Sequence, residues 1–163
     1  MSDLAMKIIF QDIRTIESDA VVVGFYEDVR PLKNLAGQLD WLLCGSLSRL
    51  ILEKKLHGTL GEMALLTSRG KIPAGKIFLI GLGPRSEFSY AALKNVARMT
   101  AASVIAAGDV IAAMEYFSLA DDDYKTGVHT LLEGLKEGAG ECNLSISLVA
   151  LDKAAYNQIS RQI

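Results

Sequence analysis

Apolar positions along this chain come in two textures, unbroken runs and stripes at helical spacing. Runs at residues 7–12 (KIIFQD), 20–26 (AVVVGFY), 62–67, 76–81 (KIFLIG), 109–118 (DVIAAMEYFS) and 143–151 predict six strands. The run at 20–26 is β-branched and almost wholly apolar, the pattern of a central strand covered on both faces. Between the runs lie the stripes. Leu35, Leu39, Leu42, Leu43, Leu47 and Leu50 keep a 3/4 spacing that predicts one helix over 35–54, with Asn34 as its N-cap. An Ala-rich helix is predicted over 90–107 behind Ser89, another opening at Asp121, Asp122 and Asp123 and running to 137, and a last one over 153–161 behind Asp152. Strands alternating with helices predict an α/β fold, a three-layer α/β/α sandwich around a roughly six-stranded mixed sheet. Residues 1–163 are expected to form a single domain.

Composition narrows the function classes. Half of the 163 residues are apolar and 22% are charged, which is globular rather than disordered. The formal net charge is −2 and no Lys/Arg cluster exceeds Lys54-Lys55, so the basic footprint that nucleic-acid binding requires is missing. Cys44 and Cys142 lack CxxC spacing and are expected to be buried, reduced, small apolar residues rather than a disulfide. The N-terminus has no signal-peptide pattern, and no apolar run reaches the roughly 18 residues that span a membrane. A cytoplasmic protein without membrane contact is the expectation, with its oligomeric state left open.

Four ordered segments carry a family resemblance. They are Ala20-Val21-Val22-Val23-Gly24, LAGQLDWLLCGSLSRLI (35–51), HGTLGEMALL (57–66) and KIFLIGLGPRSEFSYAALKNVARMTA (76–101). Together they resemble the N-terminal domain of the leucyl (cytosol) aminopeptidase family. The resemblance implies a macro-domain-like fold and a module whose enzymes hold two metal ions and every catalytic group in a separate C-terminal domain. That catalytic domain would be expected after Ile163, and the family's Asn-Thr-Asp-Ala-Glu-Gly-Arg type of motif occurs nowhere in these residues. Residue chemistry agrees: a co-catalytic metal pair needs several converging ligands, whereas the two histidines, His57 and His129, lie far apart without ligand spacing. No catalytic, metal-binding or cofactor-binding residue is therefore expected. The implied role is regulation, assembly or binding, with an aminopeptidase catalytic domain or another protein as partner.

The macro-like resemblance also raises a nucleotide or ADP-ribose-like ligand, which macro domains hold with glycine-rich loops whose N–H groups face a diphosphate. Here the loop after 20–26 reads EDVRPLKNLAG, with Gly37 alone from such a cluster, and the loop after 118 reads LADDDYKTG. Carboxylates near a diphosphate oppose it. Gly81-Leu82-Gly83 lacks the third glycine of G-x-G-x-x-G, and Pro84 offers no N–H, so this stretch reads first as a sharp strand end. The candidates for ligand or partner contact are Asn34, Gly37, Gly81, Gly83 and Arg85, together with Trp41, which projects away from the leucine stripe. Trp41 either packs beneath a neighbouring element or marks a contact surface.

Overall fold

The computed structural model describes residues 3–163. Six strands form one sheet: β1 (Leu4–Ile9), β2 (Ala20–Phe25), β3 (Met63–Thr67), β4 (Lys76–Gly81), β5 (Ile111–Glu115) and β6 (Leu144–Val149). Their order across the sheet is β1-β6-β5-β2-β4-β3. All neighbours run parallel except β3, which pairs antiparallel with β4. The sheet is thus mixed, with its one antiparallel strand at an edge.

Five helices cover it: α1 (Asn34–Leu42), α2 (Ser46–Leu52), α3 (Tyr90–Ala106), α4 (Tyr124–Ala139) and α5 (Lys153–Ser160). The period-2 geometry of a strand explains why two layers of helix are needed. In β2, Ala20 and Val22 enter the core shared with α3 and α4, while Val21, Val23 and Phe25 enter the core shared with α1 and α2. In β4, Phe78 and Ile80 take the first face, Ile77 and Leu79 the second. Both faces of the central strands are buried, so their sequences run apolar without a break. No helix of the described residues is long and apolar enough to cross a membrane.

The helix expected over 35–54 is two helices. Cys44 and Gly45 adopt φ of 55° and 80° and break it. Asp40 of α1 then reaches over to accept the Ser48 N–H at 2.9 Å and the Ser48 hydroxyl, tying α2 to α1. The leucine stripe survives the break, because Leu39, Leu43 and Leu47 all enter the same core. Asn34 is not the N-cap: Lys33 holds that position, and Asn34 begins the helix with φ of 56°. Both cysteines are free and exposed rather than buried, since each sits in a turn that follows a helix. The first strand lies at Leu4–Ile9, ahead of the expected run, because Asp12 is taken up in a 3-10 turn where its carboxylate accepts the Arg14 N–H.

Ser89 caps α3 as its sequence position predicts, accepting the Ala92 N–H at 3.2 Å. Ser89→Ala is expected to lower stability by about 1 kcal/mol in urea unfolding, the usual worth of such a cap, with Ser89→Asp close to the parent protein.

Candidate functional site

Topology creates a crevice. Strands β2 and β5 are neighbours, yet the chain leaves β2 for α1 on one face and leaves β5 for α4 on the other. At such a switch point the outgoing segments diverge and leave a gap beyond the carboxyl ends of the strands. Pairing of β2 with β5 ends at Val22 and Met114, while β2 stays paired with β4 as far as Phe25 and β5 with β6 as far as Glu115. The gap is a crevice of about 320 Å³. Its walls include Phe25, Leu32, Leu82 and Phe117; Lys33, Asn34, Arg85 and Glu115 supply polar groups.

Glu115 is the unusual member. It is 5% exposed, at the end of an otherwise apolar strand, and its side chain lines the crevice. Burial pushes its carboxyl up from 4.5 to about 8, and hydrogen bonds from the Gly24 N–H and the Asn34 side chain only partly oppose that push. Gly24 lies just past the last β2–β5 ladder position, so Glu115 takes the place of the missing strand partner. Asn34 owes its orientation to the left-handed backbone at the start of α1, a conformation that asparagine tolerates better than most residues.

Arg85 also lines the crevice. Its Nη1 donates to the Tyr26 hydroxyl at 2.7 Å and to the Ser118 carbonyl at 3.0 Å, and its guanidinium lies 4.8 Å from the centre of the Tyr26 ring. Its backbone N–H donates to Asp28 at 3.0 Å. Tyr26 in turn donates to the Ser118 carbonyl and packs edge-on against Phe88. Burial raises the Tyr26 hydroxyl above its ordinary range, against the pull of Arg85. These contacts join the loops after β2, β4 and β5 into one rim.

The structure brings Asn34 and Arg85 together in the crevice and sends the other sequence candidates elsewhere. Gly81 and Gly83 lie against the 57–62 loop: the Gly81 N–H donates to the Glu62 carbonyl at 2.7 Å and the Gly83 N–H to the Gly58 carbonyl at 2.8 Å. Gly37 makes room for the Leu32 carbonyl, which would stand 2.6 Å from a Cβ there. Trp41 is 81% exposed on the outer side of α1, beside Gln38 and Leu42 and away from the crevice. The aspartates after β5 also turn from it. Asp122 accepts from the Tyr90 hydroxyl at 3.3 Å, and Asp123 accepts from the Thr126 hydroxyl at 2.7 Å. Burial, then Asp122 beside it, pushes the Tyr116 hydroxyl upward. His57 pairs with Glu62, and His129, exposed on α4, faces Glu133. Glu115 was missed by motif reasoning. Its one sequence signal is a lone charge ending the run Ile111-Ala112-Ala113-Met114.

Among the described residues no group of three or more His, Cys, Asp and Glu side chains is placed to hold a metal ion. The fold has close counterparts. A tomato leucine aminopeptidase mutant superposes with a TM-score of 0.72 at 20% identity, over 98% of this chain and 35% of that one. A Trypanosoma brucei macrodomain solved with ADP-ribose superposes with a TM-score of 0.70 at 12% identity, over 96% of this chain and 68% of that one. At such identities these likenesses speak to the fold, which is macro-domain-like. In sequence, a probable cytosol aminopeptidase of Alkaliphilus metalliredigens is 31% identical over 93 residues, covering 57% of this chain and 19% of that protein. The chain therefore matches a stretch amounting to about a fifth of that relative's length. The family model described as the N-terminal domain of the cytosol aminopeptidase family matches residues 22–143. On that match, which spans both walls of the crevice, the chain belongs to the cytosol aminopeptidase family and represents its N-terminal domain.

Proposed function

We propose that these residues act as a non-catalytic module with a regulatory, assembly or binding role. The observation that carries this reading is where the family match falls: residues 22–143 correspond to the N-terminal domain. The partner in this reading is an aminopeptidase catalytic domain, on the same chain or another, or a different protein, in a cytoplasmic setting. Trp41 fits a contact surface, as an aromatic residue 81% exposed on a helix whose other side is packed into the core. The test is direct. The purified chain, incubated with Zn²⁺ or Mn²⁺ and a chromogenic leucyl amide, is expected to release no product above buffer; robust metal-dependent release would refute the reading.

A small-ligand role is the second reading, favoured by a likeness to a macrodomain that was solved with ADP-ribose. Diphosphate recognition finds little support in the loop after β2, which carries Glu27, Asp28 and Pro31 in place of a glycine cluster.

A further inference from the structure

The crevice has a charge pattern that suits neither a plain anion nor a plain cation. Its lining combines a buried acid, Glu115, and apolar residues with two cations, Lys33 and Arg85, the latter with one guanidinium nitrogen already donating to Tyr26 and Ser118. Lys33 is also the N-cap of α1, where no side chain caps the helix, so the first-turn N–H groups add positive potential on that side. A volume of about 320 Å³ is at the small end of ligand sites. We propose that this crevice binds a compact zwitterion of the amino-acid class, its ammonium on the Glu115 carboxylate, its carboxylate towards Lys33 and Arg85, and its apolar side chain among Phe25, Leu32, Leu82 and Phe117.

Each alternative leaves a group unmatched. A carboxylic acid alone has no partner for Glu115, and an amine alone leaves the cationic rim unused. A diphosphate is too highly charged for a floor made by an acid and walls made by leucine and phenylalanine. The groups that face Glu115 are the Gly24 N–H of β2 and the Asn34 amide of α1, and the Tyr26 hydroxyl carries its charge influence from the rim. None of these is a cation in direct contact, so burial keeps the Glu115 carboxyl protonated near neutral pH. An arriving ammonium favours the carboxylate, and the proton passes to buffer as the ion pair forms. Binding therefore releases protons at pH 7. This inference goes beyond the module reading and holds for the chain whether or not it serves an aminopeptidase.

Calorimetry of the full chain with L-leucine, isoamylamine and 4-methylpentanoate tests it, in two buffers of different ionisation enthalpy at pH 7. Leucine is expected to bind at least about tenfold more tightly than either single-charge analogue, with close to one proton released. Glu115→Gln, whose melting is checked alongside, is expected to weaken leucine at least about tenfold and to abolish the proton release. Lys33→Met is expected to weaken leucine while leaving isoamylamine unchanged. Absence of leucine heat at millimolar concentrations would overturn the proposal. So would 4-methylpentanoate binding as tightly as leucine, a folded Glu115→Gln protein binding leucine unchanged, or ADP-ribose binding where leucine does not.

Discussion

Gly81→Ala is expected to lower stability by about 3 kcal/mol or more, the upper range for overpacking a site that cannot yield. A Cβ on Gly81 would collide with the Thr59 carbonyl oxygen and stand 2.7 Å from the carbonyl carbon of Gly58. Both obstacles are backbone, and that backbone is held from several sides. The Gly61 N–H donates to the Gly81 carbonyl at 3.0 Å, and the Glu62 carboxylate accepts the N–H groups of His57 and Gly58 at 2.8 Å each. No rotamer change relieves the clash, so either β4 shifts against β2 or the 57–62 loop leaves the sheet. The matching control is Gly75→Ala, where no atom lies within 4 Å of the new methyl and φ lies outside the left-handed region. That change is expected to stay within about 0.5 kcal/mol of the parent or to stabilise slightly. Urea unfolding of both variants, read at constant m-value, decides the matter. A loss under about 1 kcal/mol for Gly81→Ala would show that the loop yields freely.

The same residue shows how far the sequence could be read. Gly81-Leu82-Gly83-Pro84 marks a sharp strand end, and the structure supplies the reason in the loop laid against it. Strands β2 and β4 and helix α3 were legible almost to the residue, because burial on both faces and a clean Ser89 cap leave local signals. The break between α1 and α2 was not, because a turn at Cys44 and Gly45 keeps Leu39, Leu43 and Leu47 in register with one core, and the stripe looks continuous. Cysteine burial was misjudged for a related reason: both residues are set by helix-terminal geometry rather than by apolarity. The crevice was half legible. Arg85 stood out as a charge beside a turn and Asn34 as a polar residue at a helix start, whereas Glu115 gains its meaning only when β5 is placed beside β2 and α1, residues remote in sequence. The acidic run Asp121–Asp123 misled in the opposite sense: Tyr90 and Thr126 occupy its second and third members, away from the crevice.

Because Glu115 is held protonated by burial, folding stability should fall as the pH rises from about 4.5 to about 8. The sign follows from proton counts. Below 4.5 the carboxyl is protonated in both folded and unfolded chains and contributes no pH dependence. Between 4.5 and about 8 the unfolded chain has lost the proton that the fold retains, so the fold binds more protons and each added pH unit disfavours it. Above 8 both states are ionised and the decline stops. The full drop is about 5 kcal/mol, since the carboxyl moves from 4.5 to about 8 and each pH unit is worth about 1.4 kcal/mol. The carboxylates of Asp12 and Asp123 act in a different window, since their hydrogen bonds, from Arg14 and Thr126, lower them and matter at acid pH. Glu115→Gln keeps the shape and can accept the Gly24 N–H but has no proton to lose. It is expected to flatten the profile between pH 5 and 8 and to exceed the parent in stability by several kcal/mol at pH 8, a gain typical of relieving a strained binding group. Denaturant melts of the two proteins at unit pH steps supply the comparison. Parallel profiles would mean that Glu115 ionises without penalty, through water or a cation entering the crevice. If the parent's profile rises at its alkaline end when L-leucine is added, and that of Glu115→Gln does not, then the stability lost by ionising Glu115 is recovered by the ammonium it pairs with.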